Sequence, residues 1–495
     1  MSDWKMTIGI ECHVQLATKS KLFSSADNDA RDREPNSVVD PIDYGLPGML
    51  PLLNEEAINL AIRAAKALNA KVAKVSRFDR KHYFYPDLPM GYQITQMYQP
   101  TIGAGHVDVP LLDGSSLKVR IHHAHIESDA GKQTHYKDHT LVDLNRAGTP
   151  LIEIVSEPDI HSAAEARAYC SELHKLMTYA GVTLGDLYHG NMRFDVNISV
   201  AKADSDTLGK RAEIKNLNSF RSVERAAEYE FKRQVALLEK GETVVQETRG
   251  WSDDTQRTTS QRSKEDAQDY RYMPDADIPP VVLNDAYIAS IQSNMPYLPP
   301  HFRSGWADLN LGGGIVDTIL GYMPVAKLLN DMYPLPAHKD QLLAQMGVAE
   351  TEYREYVIRI FNWFASTPYE QMNLDKVTEG LIGPHRLMEL AKLVASDKLS
   401  STSAKQIFLD LFDENFKGVM PDEIATRKGL LQESDETAIA SIVDEIMADG
   451  ASQKSIADIR AGNDKAIGFL VGQVMKKSAG KANPALAQKL IRERL

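Results

Sequence analysis

The chain has 495 residues, a 43% hydrophobic fraction and a formal net charge of -12, enough for about three domains with real cores. No run approaches the ~18 apolar residues of a membrane span, and Met1 to Met6 lack the apolar block of a signal peptide, so a cytoplasmic protein with no membrane contact is expected. Cys12 and Cys170 build no disulfide framework, no CxxC pair marks structural zinc, and the acidic balance argues against a protein coated for nonspecific nucleic-acid binding.

Residues 1 to about 292 read as mixed strands and helices. Ile8 to Gln15 alternates with period two, which predicts a strand with Glu11, His13 and Gln15 on one face and Ile10, Cys12 and Val14 on the other. A turn-rich segment follows from Asp40 to Gly48. Asn54 predicts the N-cap of a helix running to about Leu68, with Ile58, Ala61, Ile62 and Ala65 on its apolar side. Ser76 to Tyr92 then sets five Phe/Tyr rings among Arg and Lys and is broken by two prolines. Either the rings fill a core pocket, or the segment offers Arg80 and Lys81 to an anion such as phosphate.

Lys118 to Glu127 predicts a strand with His123, His125 and Glu127 on one face, although Arg120 and His122 fall on the other. Asp129-Ala130-Gly131-Lys132 follows, without the spacing of a phosphate loop. Leu151 to Val155 predicts a short strand whose Glu153 lies on a wet face or at a site. Ser162 and Glu165 form a capping box for a helix reaching about Ala180, with Cys170 as a core thiol. Met192 to Val200 alternates throughout and shows Arg193, Asp195, Asn197 and Ser199. Arg211 to Lys215 does the same with Arg211, Glu213 and Lys215. A helix from about Arg221 to Lys240 comes next, and Gln246 to Pro280 reads as a surface linker.

Pro296, Pro299 and Pro300 punctuate the chain, and the pattern beyond them turns helical. A second shift falls near Phe412. The expected domains are 1–292, 293–412 and 413–495. From Glu433 to Ile459 there are seven acids against one lysine; from Lys465 to Leu495 there are seven basic residues against one glutamate. The basic segment is either a solvated helix face or a nucleic-acid contact.

Five strands thus share a design, with Glu, His, Asp or Arg on one face and mostly apolar residues on the other. The acid and imidazole set is Glu11, His13, His125, Glu127, Glu153, Asp195 and Glu213. Oxygen ligands in excess over imidazole favour Mg2+ or Mn2+ over zinc. The cationic set is Arg80, Lys81, Arg146, Arg193, Arg211 and Lys215. Carboxylate-held metal with Arg and Lys is equipment for a nucleoside triphosphate. No self-contained nucleophile is visible: GxSxG is absent, and Cys12 points away from His13.

Several ordered stretches resemble one family, GatB, the B component of bacterial glutamyl/aspartyl-tRNA amidotransferases. They are Ile8 to Gln15, Phe78 to Gln96, Asp129 to Lys132, Val142 to Pro158, Glu213 to Phe220, Gln246 to Arg249 and Asp269 to Pro274. Gly468 to Lys476 and Gly480 to Pro484 look like that family's YqeY-like helical tail. The resemblance implies an α+β fold: an N-terminal cradle built on an antiparallel sheet, similar to glutamine synthetase, then all-helical domains. It implies an enzyme that uses ATP and Mg2+ to phosphorylate the side-chain carboxylate of misacylated Glu-tRNA(Gln) or Asp-tRNA(Asn). Ammonia from a glutaminase partner, the amidase GatA, would displace the phosphate, and the small protein GatC would complete a heterotrimer. The helical domains would hold the tRNA by shape and backbone.

With the residue chemistry, the resemblance places Glu11, His13, Glu127 and Glu153 near the metal. Lys81 and Arg80 would neutralise phosphate charge, and Asp195 and Glu213 would hold a second cation or orient ATP. Lys81, Lys132, Arg146 and Lys215 would contact the nucleotide. Ser128 stands where family members often carry a second carboxylate, and it ligates weakly at best. Two other readings are an ATP-dependent carboxylate-amine ligase acting on a small free acid and a non-catalytic tRNA-binding adaptor. The helical C-terminal third argues against the first, and the acid and imidazole strand faces argue against the second.

Overall fold

The computed structural model describes residues 3–263, 269–336, 339–378, 380, 382–432, 436–478 and 482–495. The first residues of the acidic block, Glu433 to Asp435, and Gly480-Lys481 of the tail motif lie outside the described residues. The chain divides into two compact units, Met1–Pro299 and Pro300–Leu495.

The first unit begins with β1 (Trp4–Gln15), α1 (Glu55–Ala67), β2 (Val75–Ser76), β3 (Asp79–His82), β4 (Tyr92–Thr95) and β5 (Gly105–Pro110). It continues through β6 (Ser116–Ser128), β7 (Lys132–His135), β8 (Thr140–Asp143), β9 (Pro150–Ser156), α2 (Ala163–Tyr179) and β10 (Met192–Lys202). The remainder is β11 (Ala212–Leu217), α3 (Phe220–Glu239), β12 (Glu247–Ser252), β13 (Arg257–Ser263), β14 (Met273–Pro274), β15 (Val281–Val282) and α4 (Asp285–Ser293).

The main sheet has the order β13-β12-β11-β10-β1-β9-β6-β5. β1 lies inside it, antiparallel to β10 on one side and to β9 on the other. The expectation of an antiparallel sheet needs one correction. β11 and β12 run parallel, so the sheet is mixed. The connection explains it: α3 carries the chain from one end of β11 back to start β12 in the same direction. The expected linker from Gln246 is corrected as well. Its first half forms the strands β12 and β13, and Met273–Pro274 pairs with β3. Both β12 and β13 are mostly polar and show little period-two contrast, which hides them.

One sheet face is apolar. Ile8, Ile10, Cys12 and Val14 of β1 are buried there with Ile152, Ile154, Phe194, Val196 and Ile198, beneath α1, α2 and α3. Asn54 caps α1 by accepting from Glu56 N at 3.0 Å. Ser162 caps α2 by accepting from Glu165 N at 3.1 Å, while Glu165 accepts from His161 N at 2.7 Å, one residue earlier than a strict capping box. Cys170 is a buried free thiol, as expected. Arg120 and His122 are also accounted for. The β6–β9 register shifts between Ile121 and His123, so the core face is odd-numbered before the bulge (Val119, Ile121) and even-numbered after it (Ala124, Ile126). Both residues therefore point to solvent without breaking the strand.

The opposite face of the sheet is polar. A three-stranded sheet of order β14-β3-β4 lies beside it, joined to the end of β6 through Gln93 Nε2, which donates to Ser128 O at 2.9 Å.

The second unit is helical among the described residues, from Pro299–Trp306 to Pro484–Arg492. One core packs Trp306 edge-on to Phe361 at 4.9 Å and Phe364 edge-on to Phe408 at 5.1 Å. A separate apolar cluster joins Ile439, Val443, Leu470, Val474, Leu490 and Ile491. The acidic and basic blocks of the tail pair with each other in part, through Glu445 with Lys477 and Asp444 with Arg494. Among the described residues no helix is long and apolar enough to cross a membrane.

Candidate active site

The site grows out of the polar face of β1. Register sets its rows. Glu153 of β9 and Arg193 of β10 lie directly opposite His13, and His125 of β6 lies opposite Glu153. One step along β1, Asp195 lies opposite Glu11, and Glu213 of β11 lies opposite Asn197. Directly opposed residues bring Cβ atoms to about 5 Å, so antiparallel pairing gathers charges that the sequence scatters over two hundred positions.

Two donor groups result: His13, Glu127 and Glu153, and Glu11, Asp195 and Glu213. In each, one donor atom per residue lies within 4.8 Å of the others. Donors sharing a Mg2+ at its usual bond length stand about 3–4 Å apart, so small side-chain adjustments suffice. Glu11, expected with the first metal, belongs geometrically with Asp195 and Glu213.

Their electrostatics differ. In the first group His13 Nε2 lies 3.4 Å from Glu153 and 3.7 Å from Glu127, and His125 Nε2 lies 3.4 Å and 3.6 Å from the same two. Burial opposes charge on His125, but hydrogen bonds to Glu127 and Glu153 raise its pKa to about 9. Burial likewise opposes charge on Glu153, yet His125 and His13 hold it well below the usual carboxylate range. His123 stacks on His125 with centroids 5.3 Å apart. Burial and the neighbouring imidazoles push its pKa down to about 4. In the second group Lys215 Nζ lies 2.8 Å from Asp195 and 2.9 Å from Glu213. Burial works against its charge, but the two carboxylates keep its pKa above the ordinary lysine value. Glu11 accepts from Asn197 Nδ2 at 2.9 Å. Its pKa is raised, first by burial and then by Glu153, Glu213 and Asp195. One lysine does not neutralise three carboxylates, and a divalent cation would relieve that excess.

The other candidates fall into three places. Lys81, on β3, has its ammonium 5.0 Å from the Tyr270 ring centre and 6.0 Å from that of Tyr83. Burial opposes its charge, while Glu127 and then Tyr272 and Glu153 raise its pKa. Arg146 braces the loop after β6, donating to Ala130 O at 3.0 Å and Gly131 O at 2.7 Å. Asp129 links it to Arg193, at 3.3 Å and 2.9 Å respectively. Arg146 and the exposed Lys132 line a cleft of about 910 Å³, together with Gln15, Thr18, Asn28 and Asn191. Gln15 follows His13 on the same strand face, so the cleft opens one step beyond the first donor group. Arg80, expected beside Lys81 on a phosphate, is turned elsewhere: its Nε donates to Asp275 at 2.8 Å and its Nη2 to Asp277 at 2.7 Å.

Ser128 stands apart from the donor groups. It is buried on the face opposite to Glu127, with its hydroxyl against the Ile94 backbone at 3.3 Å. Neighbours on a strand face opposite ways, so a side chain at 128 does not share a metal with 127. Sequence reasoning missed Asp129 as the link between Arg146 and Arg193, and Thr95, whose hydroxyl donates to Glu127 at 3.4 Å. The first had a signal, since it directly follows β6 in a stretch with other charged residues; the second had none.

A sheet with two carboxylate-rich donor groups, flanking cations and an adjoining polar cleft defines a catalytic domain for anionic substrates. Residues 6–289 match the family described as the GatB/GatE catalytic domain, and residues 354–495 match the GatB domain. The chain is 42% identical over 503 residues to the B subunit of the aspartyl/glutamyl-tRNA(Asn/Gln) amidotransferase of Halorhodospira halophila, with 99% of each chain covered. The protein of that name from Polynucleobacter asymbioticus is 43% identical over 505 residues, covering 100% of both, and that from Thermotoga sp. (strain RQ2) is 40% identical over 507, covering 99% of both. The chain belongs to the family of aspartyl/glutamyl-tRNA(Asn/Gln) amidotransferase B subunits.

Proposed function

We propose that this chain is the carboxylate-activating member of a tRNA-dependent amidotransferase, a carbon–nitrogen ligase, working in a heterotrimer with the amidase GatA and the small protein GatC. Its substrates are ATP and misacylated Glu-tRNA(Gln), Asp-tRNA(Asn) or both. The side-chain carboxylate attacks the γ-phosphorus of ATP and ADP leaves, which gives an acyl phosphate. Ammonia from the amidase then adds to the carbonyl carbon, and phosphate and a proton leave, which gives the amide. The observation that carries this reading is the pair of donor groups on one strand face, in a chain whose relatives of that name match it end to end. The same full-length similarity speaks against a small-acid ligase or a non-catalytic adaptor.

In this reading His13, Glu127 and Glu153 hold one Mg2+, with Glu11 beside them; Glu11, Asp195 and Glu213 hold a second cation or orient ATP. Such ions supply charge neutralisation along the phosphates. Lys81, Lys132, Arg146 and Lys215 supply the remaining positive charge. Arg80, held by Asp275 and Asp277, takes no part in this set. The sheet with its polar face acts as a cradle of the glutamine-synthetase type. The boundaries 292/293 and 412/413 divide cradle, middle helical domain and tail; a tail domain is supported by the separate apolar cluster that begins at Ile439. A cytoplasmic location fits a translation enzyme.

The test is Glu11→Ala in the complex reconstituted with both partner proteins. Glu-tRNA(Gln) and Asp-tRNA(Asn) are assayed with glutamine and then with ammonium alone. ATP-dependent amidation is lost with both nitrogen sources while tRNA binding stays within about twofold. Unchanged amidation sinks the site assignment.

A further inference from the structure

Arg80 and Lys81 are neighbours on β3, and neighbours on a strand face opposite ways. Both cannot serve one phosphate. Lys81 faces the tyrosines and the Glu127/Glu153 side. Arg80 faces a strap formed by residues 269–277. Its Nε and Nη2 form the edge of the guanidinium that grips oxyanions in bidentate fashion. That edge is filled, with Nε on Asp275 at 2.8 Å and Nη2 on Asp277 at 2.7 Å, while the guanidinium carbon sits 4.5 Å from the Tyr92 ring centre. The Asp275 side chain is 0% exposed. Turning Arg80 toward a phosphate would leave that carboxylate buried without its cation, a costly state.

The strap is otherwise fastened through backbone. Met273 pairs with Arg80 and Pro274 with Asp79. His82 N donates to Tyr270 O at 2.8 Å, and Asp275 N donates to Phe78 O at 2.9 Å. Between these fastenings the strap carries Tyr270 and Tyr272, whose rings meet edge-on at 6.1 Å. Tyr270 also meets Tyr83 at 6.2 Å, and Tyr272 meets Tyr98 at 6.5 Å. Arg271 between them adopts φ 45°, a left-handed turn that a non-glycine residue takes only when held. An ammonium against aromatic faces is attracted by the ring quadrupoles, so the placement of Tyr270 and Tyr83 fixes where Lys81 points.

We infer that Arg80 is a positioning residue: with Asp275 and Asp277 it buckles the strap onto β3, and the buckled strap holds Tyr270, with Tyr272 packed edge-on to it, where the Tyr270 ring aims Lys81 at the Glu127/Glu153 side of the site. The inference rests on the reading of Lys81 as a cation that serves the phosphates. It separates two adjacent cations that composition alone would assign to one task.

The experiment uses the complete reconstituted complex, with ATP varied at saturating aminoacyl-tRNA. Arg80→Gln and Asp277→Asn each lower kcat about tenfold, the scale for a misaimed group, and leave the KM for ATP within about twofold. The double variant is no worse than the poorer single one, and Asp277→Glu, which keeps the carboxylate, retains most of the kcat. A contact between Arg80 and phosphate instead raises the ATP KM in Arg80→Gln and leaves Asp277→Asn at wild-type rates; that pattern overturns the buckle. Asp277 is partly exposed, so Asp277→Asn set against Asp277→Glu decides the matter even where Arg80→Gln fails to assemble. Lys81→Ala serves as the reference. Undiminished amidation in that variant refutes the reading of the site itself, whereas the Arg80 and Asp277 results bear on the buckle alone.

Discussion

The two donor groups share a strand and a face, yet they are neutralised by different chemistry. The group at His13, Glu127 and Glu153 is balanced by imidazoles, whose pKa values the two carboxylates raise but which still lose their charge at a lower pH than an ordinary lysine. The group at Glu11, Asp195 and Glu213 is balanced by Lys215, which does not. His13 must surrender its proton to become a ligand, whereas Lys215 keeps its charge while a cation arrives. One strand can therefore carry two sites of different proton coupling, separated by only two residues of sequence.

The contrast breaks most sharply at Glu153. Glu153→Ala removes the carboxylate that both His13 and His125 share and leaves Glu127 alone against the buried His125 ring and the half-buried His13 ring. A stability loss of about 3 kcal/mol is expected, the scale of a broken buried ion pair, measured by denaturant unfolding; a loss below about 1 kcal/mol would show that the imidazoles are not held there by charge. A smaller effect belongs to the second group. Lys215→Met strips the cation that bridges Asp195 and Glu213, but Lys215 is 39% exposed, and solvent screening brings the expected cost to about 1 kcal/mol. Millimolar Mg2+ should restore the melting temperature of this variant more than it raises that of the wild type. Equal responses to Mg2+ would remove the distinction between the groups.

A further effect is the dependence on pH. The folded pKa of His125, about 9, lies above the ordinary 6.5, so its stabilising contribution is complete below pH 6.5 and is lost as pH rises through about 9. Glu153 is shifted the other way, so its contribution is present above the ordinary 4.5 and is lost as pH falls through its lowered value. Stability from this group is thus greatest between the two ordinary values. The metal-free melting temperature should fall by about 2–4 °C between pH 6.5 and roughly 9.5, and the fall should shrink in Glu153→Ala, where Glu127 alone faces the ring. A fall of the same size in that variant would assign the titration to other groups.

Much of this was legible in the sequence, and the gaps have physical causes. Strict alternation exposed β1 and β10, so the functional faces of Glu11, His13 and Asp195 could be written down from spacing. Register could not. Nothing in the spacing says that Glu11 opposes Asp195 while His13 opposes Glu153, and that pairing is what sorts the acids into two groups. β6 was blurred by its bulge, which inverts the face between Ile121 and His123. β12 and β13 carry mostly polar residues on both faces, so no period-two contrast marks them, although β12 lies inside the sheet. Composition alone groups Arg80 with Lys81; once β3 is a strand, alternation separates them.

The most direct test counts cations. Electron paramagnetic resonance of Mn2+ added to the purified chain should report two bound ions per wild-type molecule, one in His13→Ala and one in Glu213→Gln. A single bound ion in the wild type that disappears in both variants would contradict two separate sites on one strand face.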